Sequence, residues 1–118
     1  MKTFLSVLAF ALFLYAPHAQ AAESERAVFA GGCFWCMESE FDSEKGVISV
    51  TSGYTGGSAQ TATYKQVSTG TTGHVEAVEV VFDPSVVSYS RLLTIFWRNV
   101  DPLDADGQFC DKGSQYAA

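Results

Sequence analysis

Positive charge is scarce in this chain: seven Lys and Arg stand against thirteen Asp and Glu over 118 residues, for a net charge of −6. No basic run or basic amphipathic helix occurs, so the sequence has no electrostatic footprint for nucleic acid or for an anionic membrane surface. Long apolar runs are equally few. The single extended one, Phe4 to Ala16, is too short for a confident membrane span. It follows a basic Met1-Lys2 start and precedes Ala19-Gln20-Ala21, a small-residue cleavage pattern, so residues 1–21 read as a secretory signal peptide. Export, to a periplasm-like compartment, is the expected localisation, with residues 22–118 as one acidic domain. Cysteine is rare too. Three cysteines leave an odd thiol however they pair, which points toward redox chemistry in an exported protein.

What is present is concentrated in Gly31-Gly32-Cys33-Phe34-Trp35-Cys36. Ala27–Ala30 before it reads as a strand. Phe34 to Lys45 reads as a helix with Phe34, Met37 and Phe41 on one face, and Gly46 is the expected stop. Cys33 thus falls at a strand-to-helix turn, beside the unpaired N–H groups of a first helical turn, which favour a thiolate. It is the leading nucleophile candidate. Cys33 and Cys36 form a C-x-x-C pair of redox type. A zinc site drawing on Cys33, Cys36, Cys110 and His74 is disfavoured, because Cys110 has no closely spaced partner; no metal is expected.

Further strands are expected at Val47–Thr51 and, most clearly, at His74–Phe82. Gly53–Gly57 and Gly70–Gly73 read as loops, with a short helical turn at Tyr64–Val67. Tyr89–Val100 carries a broad apolar stripe of Tyr89, Leu92, Leu93, Phe96, Trp97 and Val100, all expected in the core, with Ser88 as N-cap and Pro102 beyond the end. From Asp101 onward no period is detectable. In the alternating strand, Glu76 shares a face with His74, Val78, Val80 and Phe82, while Glu79 shares the other with Val75, Ala77 and Val81. A carboxyl on an apolar face gains a raised pKa and serves as a proton donor. Periodicity alone leaves the choice between the two glutamates open.

Gly-Cys33-Phe34-Trp35 resembles the signature of the A-type peptide methionine sulfoxide reductases. The likeness continues in order through Gly53–Gly57, Thr63-Tyr64, Gly70–Val78, Phe82-Asp83-Pro84, Phe96-Trp97, Asp101-Pro102 and Asp111–Tyr116. It implies an α+β fold, a two-layer sandwich of ferredoxin-like type with a small mixed sheet, and reduction of methionine S-sulfoxide, free or in proteins. By position it makes Cys33 the nucleophile and Glu76 the proton donor. Tyr64 and Tyr116 become hydroxyls on the sulfoxide oxygen, Phe34 and Trp35 the pocket for the substrate methyl group, and Asp111 an acid of the same site. No bound cofactor is implied. A thioredoxin-like or other dithiol is the expected reductant, and a monomer the expected state.

Two departures from the family pattern carry weight. Cys36 stands where many members have glycine, and it and Cys110 are the candidate resolving thiols; Cys110, next to Asp111, is slightly preferred. The family's domain continues past Gly-Ser-Gln-Tyr, usually with Arg-Ser rather than Ala117-Ala118, so the sequence looks truncated and its fold incomplete at the C-terminus. The competing expectations are an inactive fragment and a general thiol-disulfide oxidoreductase using Cys33 and Cys36.

Overall fold

The computed structural model describes residues 23–118. The signal peptide expected at residues 1–21 lies outside the described residues. The chain runs β1 (Glu25–Phe29), α1 (Phe34–Asp42), β2 (Val47–Thr55), α2 (Tyr64–Val67), β3 (Val75–Phe82), α3 (Tyr89–Arg98), β4 (Gly107–Gln108) and β5 (Asp111–Lys112). Single 3-10 turns occur at Ala59–Thr61 and Ser114–Tyr116.

The main sheet has the order β1-β3-β2, and β4 and β5 form a separate hairpin. The expected two-layer α+β arrangement is present, but the pairing is antiparallel throughout rather than mixed. The reason is topological. β1 and β2, joined through α1, run in the same direction but never touch, because β3 inserts between them antiparallel to both. This is a split β-α-β unit, in which the crossover leaves room for a later strand.

The alternation of β3 decides which face is inside. Glu76, Val78, Val80 and Phe82 are buried, whereas Val75, Glu79 and Val81 are only partly so. α1 lays Phe34, Met37 and Phe41 on that buried face. Phe41 and Leu92 are completely buried, and Phe29 stacks on Phe41 with ring centroids 4.8 Å apart. Each such side chain contributes about 1.5–3 kcal/mol by leaving water. α1 stops at Asp42, earlier than the glycine signal suggests. Gly46 (φ +98°) instead serves the turn into β2, and its carbonyl accepts from Asp83 N–H at 2.8 Å.

α3 begins as expected, with Ser88 Oγ accepting from Arg91 N–H at 3.1 Å. Its stripe is narrower than the sequence suggests. Leu92, Ile95 and Val100 are buried, but Tyr89 and Trp97 are more than half exposed, so two aromatics expected in the core lie at the surface. β2 is longer than expected, because Gly53, Tyr54 and Thr55 continue the ladder opposite Ala77, Glu76 and Val75.

Candidate active site

The turn between β1 and α1 is built around a glycine that nothing else can replace. Gly32 has φ +85°, and a Cβ there would lie 2.6 Å from Cβ of Gln108. Cys33 follows as the N-cap of α1, its carbonyl accepting from Cys36 N–H (3.1 Å) and Met37 N–H (3.2 Å). Its thiol makes no capping bond, which leaves the sulfur available at the helix start.

The next N–H of that first turn does not stay unpaired. Phe34 N–H donates to Oε2 of Glu76 at 2.9 Å, a bond that spans 42 residues. A helix N-terminus attracts a carboxyl for both hydrogen-bonding and electrostatic reasons. Burial pushes the Glu76 carboxyl above the ordinary carboxylate value; the Phe34 bond opposes that rise, and the charge of Asp111 adds to it. Burial dominates, so the carboxyl retains a proton to higher pH than an exposed glutamate. Glu79 is the other case: partly exposed, it pairs with Arg26 at 2.7 Å.

Three tyrosines surround this carboxyl. Tyr54 stands directly across the ladder from Glu76. Burial, then Glu76, then Tyr64 push the Tyr54 hydroxyl up. Tyr116 is raised by burial first, then by Glu76, Asp111, Tyr64 and Cys33, which places all four of those groups within its electrostatic reach. Tyr64, the first residue of α2, stacks on Trp35 with centroids 5.7 Å apart. Trp35 is 61% exposed while Phe34 is buried, so the two aromatics of the expected methyl pocket differ sharply: one is an open wall and the other its packed floor.

The thiols separate clearly. Cys36, one helical turn from Cys33, is exposed, and contact with the Cys33 sulfur is the largest cause raising its pKa, ahead of burial and of the charges on Asp111 and Glu40. Cys110 is exposed at the tip of the β4–β5 hairpin, beside Phe109, whose φ is +52°. Glu76, Asp111, Tyr64 and Cys33 thus all act on the Tyr116 hydroxyl, and Cys36 lies one helical turn from Cys33.

Four positioning groups were not foreseen. His74 is buried and its tautomer is fixed: Nε2 donates to the Ser58 carbonyl (2.8 Å) and Nδ1 accepts from Gly57 N–H (3.2 Å), which pins the loop leading to Tyr64. Gln115 Nε2 donates to the Ser68 carbonyl (3.3 Å), tying the turn that carries Tyr116 to the segment after α2. Gln108 pairs with both backbone groups of Asp101, accepting from its N–H (2.6 Å) and donating to its carbonyl (2.9 Å). It thereby fixes the end of α3 against the turn at Gly32. Tyr54, the fourth, lay within a glycine-rich motif read as loop; extending the alternation of β2 past Gly53 would have found it.

Gln108→Leu keeps the volume but removes both bonds to the partly buried backbone groups of Asp101, an expected loss of about 1 kcal/mol. A urea titration should show a lower midpoint at an unchanged slope.

The family model for peptide methionine sulfoxide reductase matches residues 25–118. The chain belongs to this family. The reductase MsrA of Ligilactobacillus salivarius is 58% identical over 92 residues, covering 78% of this chain and 54% of the relative. MsrA of Streptococcus equi subsp. equi is 56% identical over the same length and shares. The chain thus spans about half the length of the curated relatives it matches. Among solved structures, methionine sulfoxide reductase A of Corynebacterium diphtheriae superposes with a TM-score of 0.75 at 35% identity, over 80% of this chain and 44% of that one. Mxr1 of Saccharomyces cerevisiae in reduced form gives 0.75 at 28% identity, over 80% and 57%.

Proposed function

We propose that this chain reduces the S epimer of methionine sulfoxide, free or within polypeptides, with Cys33 as nucleophile and Glu76 as proton donor. The observation that carries the reading is the bond from Phe34 N–H to Glu76, which holds a protonatable carboxyl one residue from the candidate thiol. A sulfoxide sulfur is a poor electrophile until its oxygen is protonated or strongly hydrogen-bonded. Glu76, with Tyr64 and Tyr116 beside it, supplies that polarisation. Cys33 attacks the sulfur, the oxygen passes to Cys33 as a sulfenic acid, and the substrate leaves as methionine, reduced by two electrons.

Cys36, rather than Cys110, is the resolving thiol in this proposal. It lies one helical turn from Cys33, and Cys33 is the first cause that raises its pKa, so it holds its proton. It displaces hydroxide from the sulfenic sulfur, its own proton completes the water, and a Cys33–Cys36 disulfide remains. An external dithiol of thioredoxin-like type then reduces that disulfide. Function outside the cytoplasm, in a periplasm-like space, is part of the same proposal and rests on the leader pattern of residues 1–21.

The test supplies the chain with each epimer of methionine sulfoxide and dithiothreitol. Turnover of the S epimer alone is expected. Turnover of neither epimer, or of the R epimer only, refutes the proposal. After one turnover without reductant, peptide mapping should place the disulfide between Cys33 and Cys36.

A further inference from the structure

The proposed chemistry needs two hydroxyls on one oxygen, and they come from separate parts of the chain. Tyr64 opens α2, and Tyr116 ends the turn Ser114–Tyr116; neither stands on the main sheet. The Tyr116 turn is firmly held. Its Tyr116 N–H donates to the Gly113 carbonyl at 3.0 Å, and Gly113 N–H donates to the Asp106 carbonyl at 2.8 Å. Tyr64 is half exposed on a helix of four residues, and Trp35, on which it stacks, is exposed too. Such a ring needs a further tie to keep its hydroxyl at a fixed distance from that of Tyr116.

A chain of hydrogen bonds supplies it. Ser68 is bound twice to the Tyr64 carbonyl, by its N–H at 2.9 Å and by its Oγ at 2.6 Å. The Ser68 carbonyl in turn accepts from Nε2 of Gln115 at 3.3 Å. Gln115 directly precedes Tyr116. A second tie runs alongside, from Ser114 Oγ to the Gly70 carbonyl at 3.2 Å. We propose that Gln115 is a positioning residue, whose amide holds Tyr64 at the distance from Tyr116 at which both hydroxyls reach the sulfoxide oxygen.

The proposal rests on the roles given above to the two tyrosines. Its second support is the housing of the amide. Gln115 is 6% exposed, and a Cβ at Gly70 or Gly113 would lie 3.1 or 2.3 Å from its Oε1. Two glycines thus leave room for one amide, and a side chain packed this closely has few rotamers to explore. Ser68, by contrast, is exposed, so water can serve its carbonyl when the amide is gone. The fold has little need of this bond, whereas the chemistry does. Thiolate attack drives electron density onto the sulfoxide oxygen, so donors to that oxygen act most strongly in the transition state. Misplacing such a group by about 1 Å can cost about 10²-fold.

The experiment measures methionine formed from the S epimer in a single turnover without external reductant, below the unfolding temperature of every variant. Gln115→Met keeps the volume and removes the donor. It should lower the saturated single-turnover rate about tenfold, while the sulfoxide concentration for half-maximal rate stays within about twofold. In the Tyr64→Phe protein, where that hydroxyl no longer has to be placed, the same replacement should cost less than about twofold. A merely structural role gives the same loss in both backgrounds, and that result overturns the inference. So does an unchanged rate for Gln115→Met. Ser68→Ala, at an exposed position, breaks the Oγ tie and should lower the rate about threefold in the parent and not in the Tyr64→Phe protein. No loss in the parent overturns the inference even where Gln115→Met fails to fold. Tyr64→Phe with the parent's rate, or a parent without turnover, overturns the reading of the site as well.

Discussion

The Cys33→Ser protein is expected to lose sulfoxide reduction by about four orders of magnitude or more while remaining at least as stable as the parent. The two halves of that expectation have one origin. Cys33 is the N-cap of α1, a position whose side chain ordinarily accepts a hydrogen bond from the first helical turn, and the cysteine makes none. Serine is among the preferred N-caps, so its hydroxyl can accept a bond there and add up to about 1 kcal/mol. A hydroxyl, however, is a far weaker nucleophile than a thiolate and forms no sulfenic acid. Thermal unfolding and turnover, measured on the same preparation, should move in opposite directions. Turnover equal to the parent would refute Cys33 as nucleophile. A large fall in Tm would refute its reading as an idle cap.

Glu76→Gln is expected to lower kcat by about 10²- to 10⁴-fold, the range of general acid catalysis. Glutamine preserves the acceptor for Phe34 N–H, so the helix start stays in place and the lost element is the proton. The stability effect has a definite sign. Folding raises the Glu76 pKa above its ordinary 4.5. Below that ordinary value the carboxyl is protonated in both states and burial costs nothing extra through ionisation. As pH rises from there through the raised folded value, the unfolded chain releases its proton first and the parent loses stability. The glutamine variant has no such loss. Denaturant midpoints of the two proteins should therefore have a constant offset below the ordinary carboxyl range and diverge above it, with the variant gaining. The alkaline fall of kcat/KM that reflects Glu76 should also vanish in the residual activity. A midpoint difference that shows no pH dependence would count against a buried, proton-holding carboxyl.

Much of this site was legible because its chemistry rides on strong periodicity. The alternation of β3 separates Glu76 from Glu79 on opposite faces, but both faces carry valines, so the choice of Glu76 as the inner acid came from the family resemblance and is met by its burial. The stripe of α1 and the Ser88 cap of α3 follow from spacing in the same way. The misses also have physical causes. Gly53 reads as a loop signal, yet its neighbourhood is open and its strand conformation ordinary, so it hid the register that brings Tyr54 to Glu76. Two-residue strands such as β4 and β5 are too short to show any period, and they are defined by the Gln108 bonds and by Gly107 instead. The preference for Cys110 as resolving thiol came from its sequence neighbour Asp111. Cys110 lies exposed between β4 and β5, whereas Cys36 lies one helical turn from Cys33, which is why the proposal above takes Cys36 instead.

The order β1-β3-β2 also has a temporal meaning. Among the described residues β1 and β2 pair only with the strand that emerges last of the three, so a growing chain holds both in waiting until residues near 82 have been synthesised. Such delayed, long-range closure is entropically slow. The strand that ends the wait is also the one that delivers Glu76 to the start of α1. Sheet closure and assembly of the thiol–acid pair are therefore a single event, and a nascent chain holds its cysteine without its acid until that moment.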